Sequence, residues 1–594
     1  MFQTFSATTS PDQGPPRLSA LRDEMKRQGA DAFLVPRADA HQGEYVAPSD
    51  ARLAWLTGFT GSAGFAAITA DEAGVFVDGR YRVQVRAEVA DVFTPVDWPE
   101  TQLGPWLRDR LSQGARLMYD PWLHTKEQID KLAEALGDGI SAEPGPNLVD
   151  AIWSDRPEPP KAEAKAQPIE RTGKSSTTKR EEIAKLLSKA GEKAAVLTLS
   201  DSVSWLLNIR GSDLPRNPVV LAFAVIHDDA RVDLFADAAK FEALGPDPAI
   251  TVRPVGDLPL CLAELSGPVR VDPQSAPIAV SQILSEAGIE ISWGSDPCIL
   301  PKAVKTEVEI AGTRDAHLRD AAAMVEFLAW FDRTAPEGHL TEIDAAKALE
   351  GYRRATNTLQ DISFDTISGA GPNGAIVHYR VTEGTNRQIN PGELYLVDSG
   401  GQYLDGTTDI TRTIAVGTPP ADAVDAFTRV LQGMIAISVA RFPKGLAGRD
   451  LDALARAPLW RAGQDYDHGT GHGVGVYLCV HEGPQRLSRL SEVPLEPGMI
   501  LSNEPGYYRE GQYGIRIENL IVVQEACALG DNRKHLDFET LTYVPIDIRL
   551  IDAAALAPWE RDWLNSYHQR VRDLIENRVS PDAKDWLQRA TRPI

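Results

Sequence analysis

Two rhythms of apolar and polar positions run along the chain. In the first half, a helical spacing of apolar residues gives way to a Gly-containing turn, a short apolar strand and a Trp-Leu segment ending in Gly. The order reads LSALRDEMKRQGADAFLV then ARLAWLTGFTG. It recurs as EEIAKLLSKAGEKAAVL then SVSWLLNIRG, so that Gly29 matches Gly191 and Trp55 matches Trp205. Such a repeat of element order predicts two copies of one α/β domain. Between the copies, Arg156 to Arg171 (RPEPPKAEAKAQPIER) mixes prolines with alternating charges and has little to bury, which predicts a linker. The apolar run from Val219 to Ile226 predicts a buried strand and is far short of the ~20 residues of a membrane helix.

Beyond Lys302 the rhythm changes. Thr306-Glu-Val-Glu309 has the form of a capping box that opens a long helix through Phe331, and a second helix is expected from Thr341, after the break at Pro336 to Gly338. Strand-like runs follow at 393–400, 406–416, 499–508 and 514–524, separated by helical patterns at 422–442 and 450–462. The segment after about Val544 is rich in Trp and Leu and reads as a helical tail. The predicted fold class is therefore α/β and α+β, multidomain, with boundaries at 1–158, 172–303, 304–543 and 544–594.

Composition narrows the function classes. At 594 residues, 43% of them hydrophobic, with 12 Trp, the chain can bury large cores and is not globally disordered. With 61 Lys+Arg against 84 Asp+Glu, the net charge of −23 disfavours nucleic acid and anionic membrane surfaces as partners. The N-terminus lacks a basic region followed by an apolar core, so cytoplasmic residence is expected. Cys261, Cys298, Cys479 and Cys527 form no CxxC pair, which argues against a thiolate zinc site or a disulfide framework.

The chemistry lies on the later strands. Asp398 (VDSGG), Asp409 (GTTDITRT), His472 (HGTGHGVG), Glu504 (SNEPGYY) and Glu518 (IRIEN) are hard or borderline metal donors. Two divalent cations supply +4 against four ionised carboxylates, whereas without metal the carboxylates would repel and raise one another's pKa. Strand alternation puts Asp409, Thr411 and Thr413 on one face and Arg516 and Glu518 on another, each opposite isoleucines. Glycine and proline restrict the backbone around Asp398, His472 and Glu504, as a site of defined geometry requires.

The ordered series VDSG, TTDITRT, HGTGHGVG, NEPGYY and GIRIEN resembles the pita-bread metallopeptidases, a family that includes aminopeptidase P, prolidase and methionine aminopeptidase. Two creatinase-like N-terminal domains before the catalytic one, with FTGSAG, VDGRY and SWLLNIRG, are similar to the long cytosolic form of aminopeptidase P. The resemblance implies a metal-dependent aminopeptidase that releases the residue preceding proline at position two, by attack of a hydroxide held between two divalent ions. Those ions would be manganese, with cobalt or zinc as substitutes. It implies that Asp398 chelates one ion, His472 and Glu504 the other, and Asp409 and Glu518 bridge them, with Glu504 also accepting the proton of water. His378, His468 and His481 match substrate-contacting positions, with His378 and His481 stabilising the developing charges, and Arg516 would orient carboxylates. The expected partners are peptides with N-terminal Xaa-Pro and a second copy of the chain in a homodimer. A prolidase confined to dipeptides shares all five ligands, and a binding module that has lost catalysis is the alternative from another class; intact ligands argue against the latter. An X-Pro bond lacks an N–H, so a pocket shaped for the ring leaves no donor unpaired.

Overall fold

The computed structural model describes residues 1–530 and 532–594. Two compact units emerge, one of residues 8–169 and 174–302, the other of residues 1–7, 170–173 and 303–594.

The first unit contains the duplication. Its first sheet runs in the order Thr94–Asp97, Ala73–Val77, Phe65–Thr69, Ala32–Pro36, Ala115–Tyr119, Ile140–Pro144. The second runs Ile250–Arg253, Val232–Phe235, Phe223–His227, Ala194–Leu197, Val269–Val271, Ile291–Trp293. Parallel and antiparallel pairings coincide step by step: in each sheet the founding strand pairs antiparallel with the second and parallel with the fifth. Gly29 and Gly191 end corresponding helices in the left-handed conformation, φ 65° and 77°, where a side chain would be strained. Trp55 and Trp205 sit on the short helices that follow the founding strands.

Two expectations need correction here. The run from Val219 to Ile226 is buried except for the half-buried Leu221, but its strand is Phe223–His227, because the first four residues pack without joining a ladder. The linker is not bare coil either. Lys165–Ala166 pairs with Ile209–Arg210, satisfying backbone groups that apolar content could not have anchored.

In the second unit the helix Glu307–Thr334 starts at the predicted capping box, with Thr306 Oγ1 accepting from the Glu309 amide and Glu309 answering to the Thr306 amide. Thr341 caps the helix Glu342–Ala355 in the same way, with Asp344 as its partner. Met324, Phe327 and Phe331 of the first helix and Phe427, Leu431 and Met434 of the helix Ala421–Ser438 belong to one core with Tyr395, Val397, Ile410, Ile414, Ile515 and Ile517. A three-stranded sheet, Ile367–Ala370, Leu394–Ser399 and Ile410–Ala415, carries one half of the polar series. A six-stranded sheet containing Gly471–Gly473, Ile500–Asn503 and Asn519–Glu525 carries the other. The chain ends in two helices, Pro558–Ile575 and Pro581–Ala590.

The expected long strands are interrupted. Asp409 lies between Gly406–Thr407 and Ile410–Ala415, Glu504 between Ile500–Asn503 and Gly506–Arg509, and Glu518 between Tyr513–Arg516 and Asn519–Glu525. At each break the ladder yields and the acid is presented from a short connecting step. No helix among the described residues is long and apolar enough to cross a membrane.

Candidate metal centre

Strand alternation explains why these acids meet. Ile515 and Ile517 enter the core, so Arg516 and Glu518 point the other way. Ile410 and Ile414 enter the same core, so Thr411 projects opposite and its Oγ1 donates to Glu518 Oε2 at 2.7 Å. Asp398 pairs with Thr411 across the ladder. The Glu518 amide donates to the Thr411 carbonyl, which ties the two sheets together at the acids, and the Glu504 amide donates to the Thr470 carbonyl beside neighbouring strands of the six-stranded sheet.

The structure brings all five predicted donors together. One donor atom from each of Asp398, Asp409 and Glu518 lies within 4.8 Å of the others; the same holds for His472, Glu504 and Glu518, and for Asp409, His472 and His481. His472 Nε2 stands 3.5 Å from both Asp409 Oδ2 and Glu504 Oε1. Its Nδ1 faces the Gly473 carbonyl at 2.9 Å; a carbonyl only accepts, so Nδ1 carries a proton, and Nε2 is the nitrogen that would give up its proton to a ligand bond. Asp398, Asp409 and Glu518 are all buried, yet Asp398 Oδ1, Asp409 Oδ1 and Glu518 Oε1 have no hydrogen-bond partner among the described residues. A buried carboxylate oxygen left without a donor is costly, and three of them on acids that converge call for cations.

Electrostatics leads to the same conclusion. Burial, with Asp409 nearby, pushes Asp398 up to about 7 even though Arg516 opposes the shift. Burial raises Glu504 despite His472 and Arg516, and lifts Glu518 well above the carboxylate range with the help of Asp409, Glu504 and Asp398. For His472 burial acts downward, but Asp409 and Glu504 outweigh it and carry the imidazole up to about 9. The protein alone thus recruits protons to a place where the donor set, four carboxylates and an imidazole, fits two divalent ions.

The remaining predicted residues fall into distinct places. Arg516 is 1% exposed and donates from Nη2 to Asp398 Oδ2 at 2.6 Å and from Nε to Thr411 Oγ1 at 3.1 Å. The His481 ring meets the His472 ring edge-on at 4.4 Å. His468 approaches Tyr508 Oη with Nε2, at 2.8 Å. His378 is half-buried just after the short helical turn Gly371–Ala375 and outside the three donor groupings.

Three residues escaped the sequence reading. Tyr508 Oη accepts from Arg516 Nη1 at 2.6 Å while meeting His468, so one hydroxyl joins the arginine that holds Asp398 to a histidine of the Gly-rich loop. Ser502 Oγ accepts from the His472 amide and donates to Glu504 Oε1. Arg456 of the helix Arg449–Trp460 donates to Asp452 and to the carbonyls of Tyr466 and His468, fixing the loop from behind. The only sequence signal for Tyr508 and Ser502 was their place in SNEPGYY, and Arg456 had none, because it lies on a helix outside the motifs.

Comparisons with known proteins agree with this geometry. Residues 311–525 match metallopeptidase family M24, residues 17–152 and 155–309 each match a creatinase/prolidase N-terminal domain, and residues 534–594 match the C-terminal region of peptidase M24. The chain is 39% identical to a probable Xaa-Pro aminopeptidase P of Talaromyces stipitatus, covering 97% of this chain and 92% of that one. It is 37% identical to aminopeptidase P2 of Arabidopsis thaliana, over 97% and 88%. The crystal structure of an X-prolyl aminopeptidase from Caenorhabditis elegans, described as a cytosolic enzyme with a di-nuclear active site, superposes with a TM-score of 0.93 at 33% identity, over 98% of this chain and 99% of that one. With two creatinase-type domains ahead of an M24 domain and these relatives along its whole length, the chain belongs to metallopeptidase family M24, in its Xaa-Pro aminopeptidase P branch.

Proposed function

We propose that this protein is a metal-dependent aminopeptidase that releases the N-terminal residue from peptides with proline at position two. The observation that carries the proposal is the convergence of the buried Asp398, Asp409 and Glu518, each with one carboxylate oxygen that lacks a partner among the described residues, at a place shared with His472 and Glu504. Asp398, Asp409, His472, Glu504 and Glu518 would hold two divalent ions. Such ions supply Lewis-acid polarisation of the scissile carbonyl and acidify water near neutral pH. Glu504 serves as the acceptor of the proton released in the attack, its Oε1 meanwhile held by Ser502. His481, packed on His472, and His378 donate hydrogen bonds to the oxyanion and to the departing amine. His468 contacts substrate from the Gly-rich loop and is held in place by Tyr508. Arg516 holds Asp398 through Oδ2, and Oδ1 would be left to hold a cation.

Manganese is our choice of ion, because an oxygen-rich set with one imidazole suits it. Cytoplasmic residence and a homodimer complete the reading; the relative described as cytosolic supports the first. Purified protein incubated with Mn²⁺ should release the first residue of Arg-Pro-Pro and bind two ions per chain by elemental analysis. Activity confined to Gly-Pro would make it a prolidase, and absence of both activities from metal-loaded protein would make it a binding module.

A further inference from the structure

The first unit holds a cleft between its two α/β modules, a cavity of about 270 Å³ lined from one side by Asp39, His41 and Asp50 and from the other by Leu221, Phe223 and Phe235. That volume suits a single side-chain-sized group rather than a large ligand. One wall is aromatic and ordered: the His41 ring stacks on Phe223 with centroids 4.2 Å apart, and His41 Nδ1 is pinned to the Thr198 carbonyl at 2.8 Å.

The polar groups of the cleft differ in how far they are satisfied. Asp50 is engaged by Arg52 at 2.9 Å and by Arg156 at 3.3 Å. Lys240 is held by the buried Asp213 at 2.7 Å. Lys161 is exposed and pairs with Glu158, and the exposed Asp237 caps the Ala239 amide. Asp39 is different. It is 2% exposed, its Oδ1 accepts from the His41 and Gly43 amides, and its Oδ2 has no partner among the described residues. A carboxylate oxygen kept out of water without a donor is normally selected against, unless a ligand completes it. The missing partner must donate, and the adjoining walls are apolar and aromatic, which favour an alkyl or aryl body and attract a cation to the ring faces.

We propose that this cleft binds a protonated primary amine carried on an apolar body, its ammonium donating to Asp39 Oδ2 and its body lying against Phe223 and Phe235. The site is separate from the metal centre in the residues it uses and does not depend on the peptidase reading.

Full-length protein titrated calorimetrically with L-phenylalaninamide, which keeps a free ammonium, should show saturable binding. N-acetyl-L-phenylalaninamide, of similar body but uncharged, should bind at least tenfold more weakly. Asp39→Asn should lose at least tenfold in affinity for the first probe while its Tm holds or rises, since the substitution removes a buried charge. Phe223→Leu should weaken binding at least threefold, a second variant in case the first fails to fold. Asp398→Ala should bind as wild type does. Equal affinity for the two probes, unchanged binding by folded Asp39→Asn, or loss of binding in Asp398→Ala would each overturn the proposal.

Discussion

The two halves of this chain bury charge in opposite ways. In the twinned α/β unit, buried ions are mostly closed off by partners. Arg270 donates to Glu192, whose other oxygen accepts from Ser292, and Lys240 meets Asp213, which also accepts two backbone amides. In the M24 unit some buried ions are closed in the same manner, as where Arg353 forks onto Asp320 and Tyr403 Oη completes it. Asp398, Asp409 and Glu518 instead converge while each keeps a carboxylate oxygen without a partner among the described residues. A closed buried pair holds a fold in register, whereas an open set of like charges persists only if something else neutralises it. Asp39 and Asp296 depart from this in the first unit, each with one carboxylate oxygen that lacks a partner among the described residues, and of the two it is Asp39 that lines the cleft.

This contrast can be broken at four points. The largest effect is expected from Asp409→Ala, which removes an acid common to two donor groupings. Loss of several kcal/mol of Lewis-acid stabilisation corresponds to a fall of about 10³ or more in kcat, and elemental analysis should find fewer than two ions per chain. Full activity in that variant would show that the open acids are not a metal centre.

Arg270→Met should do the reverse. It strands Glu192 with only Ser292 to answer it, and should cost about 3 kcal/mol in chemical unfolding of the first unit while metal content stays at the wild-type level. If its metal content fell instead, closed pairs and open acids would not be separable.

Tyr508→Phe sharpens the boundary within the M24 unit. The hydroxyl between Arg516 and His468 is lost, so kcat should drop about 10- to 100-fold with both ions retained. Unaltered turnover would reduce Tyr508 to packing.

The smallest effect at neutral pH concerns His568, a buried neutral group in the same unit. Its Nε2 accepts from the Ile546 amide, and burial, with Arg412 and Arg572 adding to it, lowers it from the ordinary 6.5 to about 3. The unfolded chain therefore takes up a proton that the folded one refuses. Stability is fully present above pH 6.5 and declines as pH falls from there toward 3, by up to about 1.4 kcal/mol per pH unit. His568→Gln, whose amide oxygen can still accept from Ile546, should flatten that part of the stability profile; a slope equal to wild type would place the dependence elsewhere.

Much of the fold was legible because its signals are local. Thr306 announced its helix through capping chemistry within four residues, the break at Pro336 to Gly338 announced the helix after Thr341, and Gly29 and Gly191 marked equivalent helix ends. The donors of the centre were legible as an ordered series of motifs in which glycine and proline punctuate each acid. What misled was strand continuity: periodicity saw one run at 499–508 and another at 514–524, where the ladders break beside Glu504 and Glu518.

By itself, then, the sequence determined which residues could bind metal, that two similar α/β modules precede them, and which face of each strand turns to the core, since period-two alternation and capping act between near neighbours. Only the tertiary structure decided that Tyr508 joins Arg516 to His468, that Arg456 braces the Gly-rich loop from another helix, that His481 falls within reach of Asp409 and His472, and that Asp39 faces Phe223 across a cleft. Those relations link residues as much as 184 positions apart, from Asp39 to Phe223. They arise from how sheets pack and where ladders stop, and no local pattern of side chains carries that information.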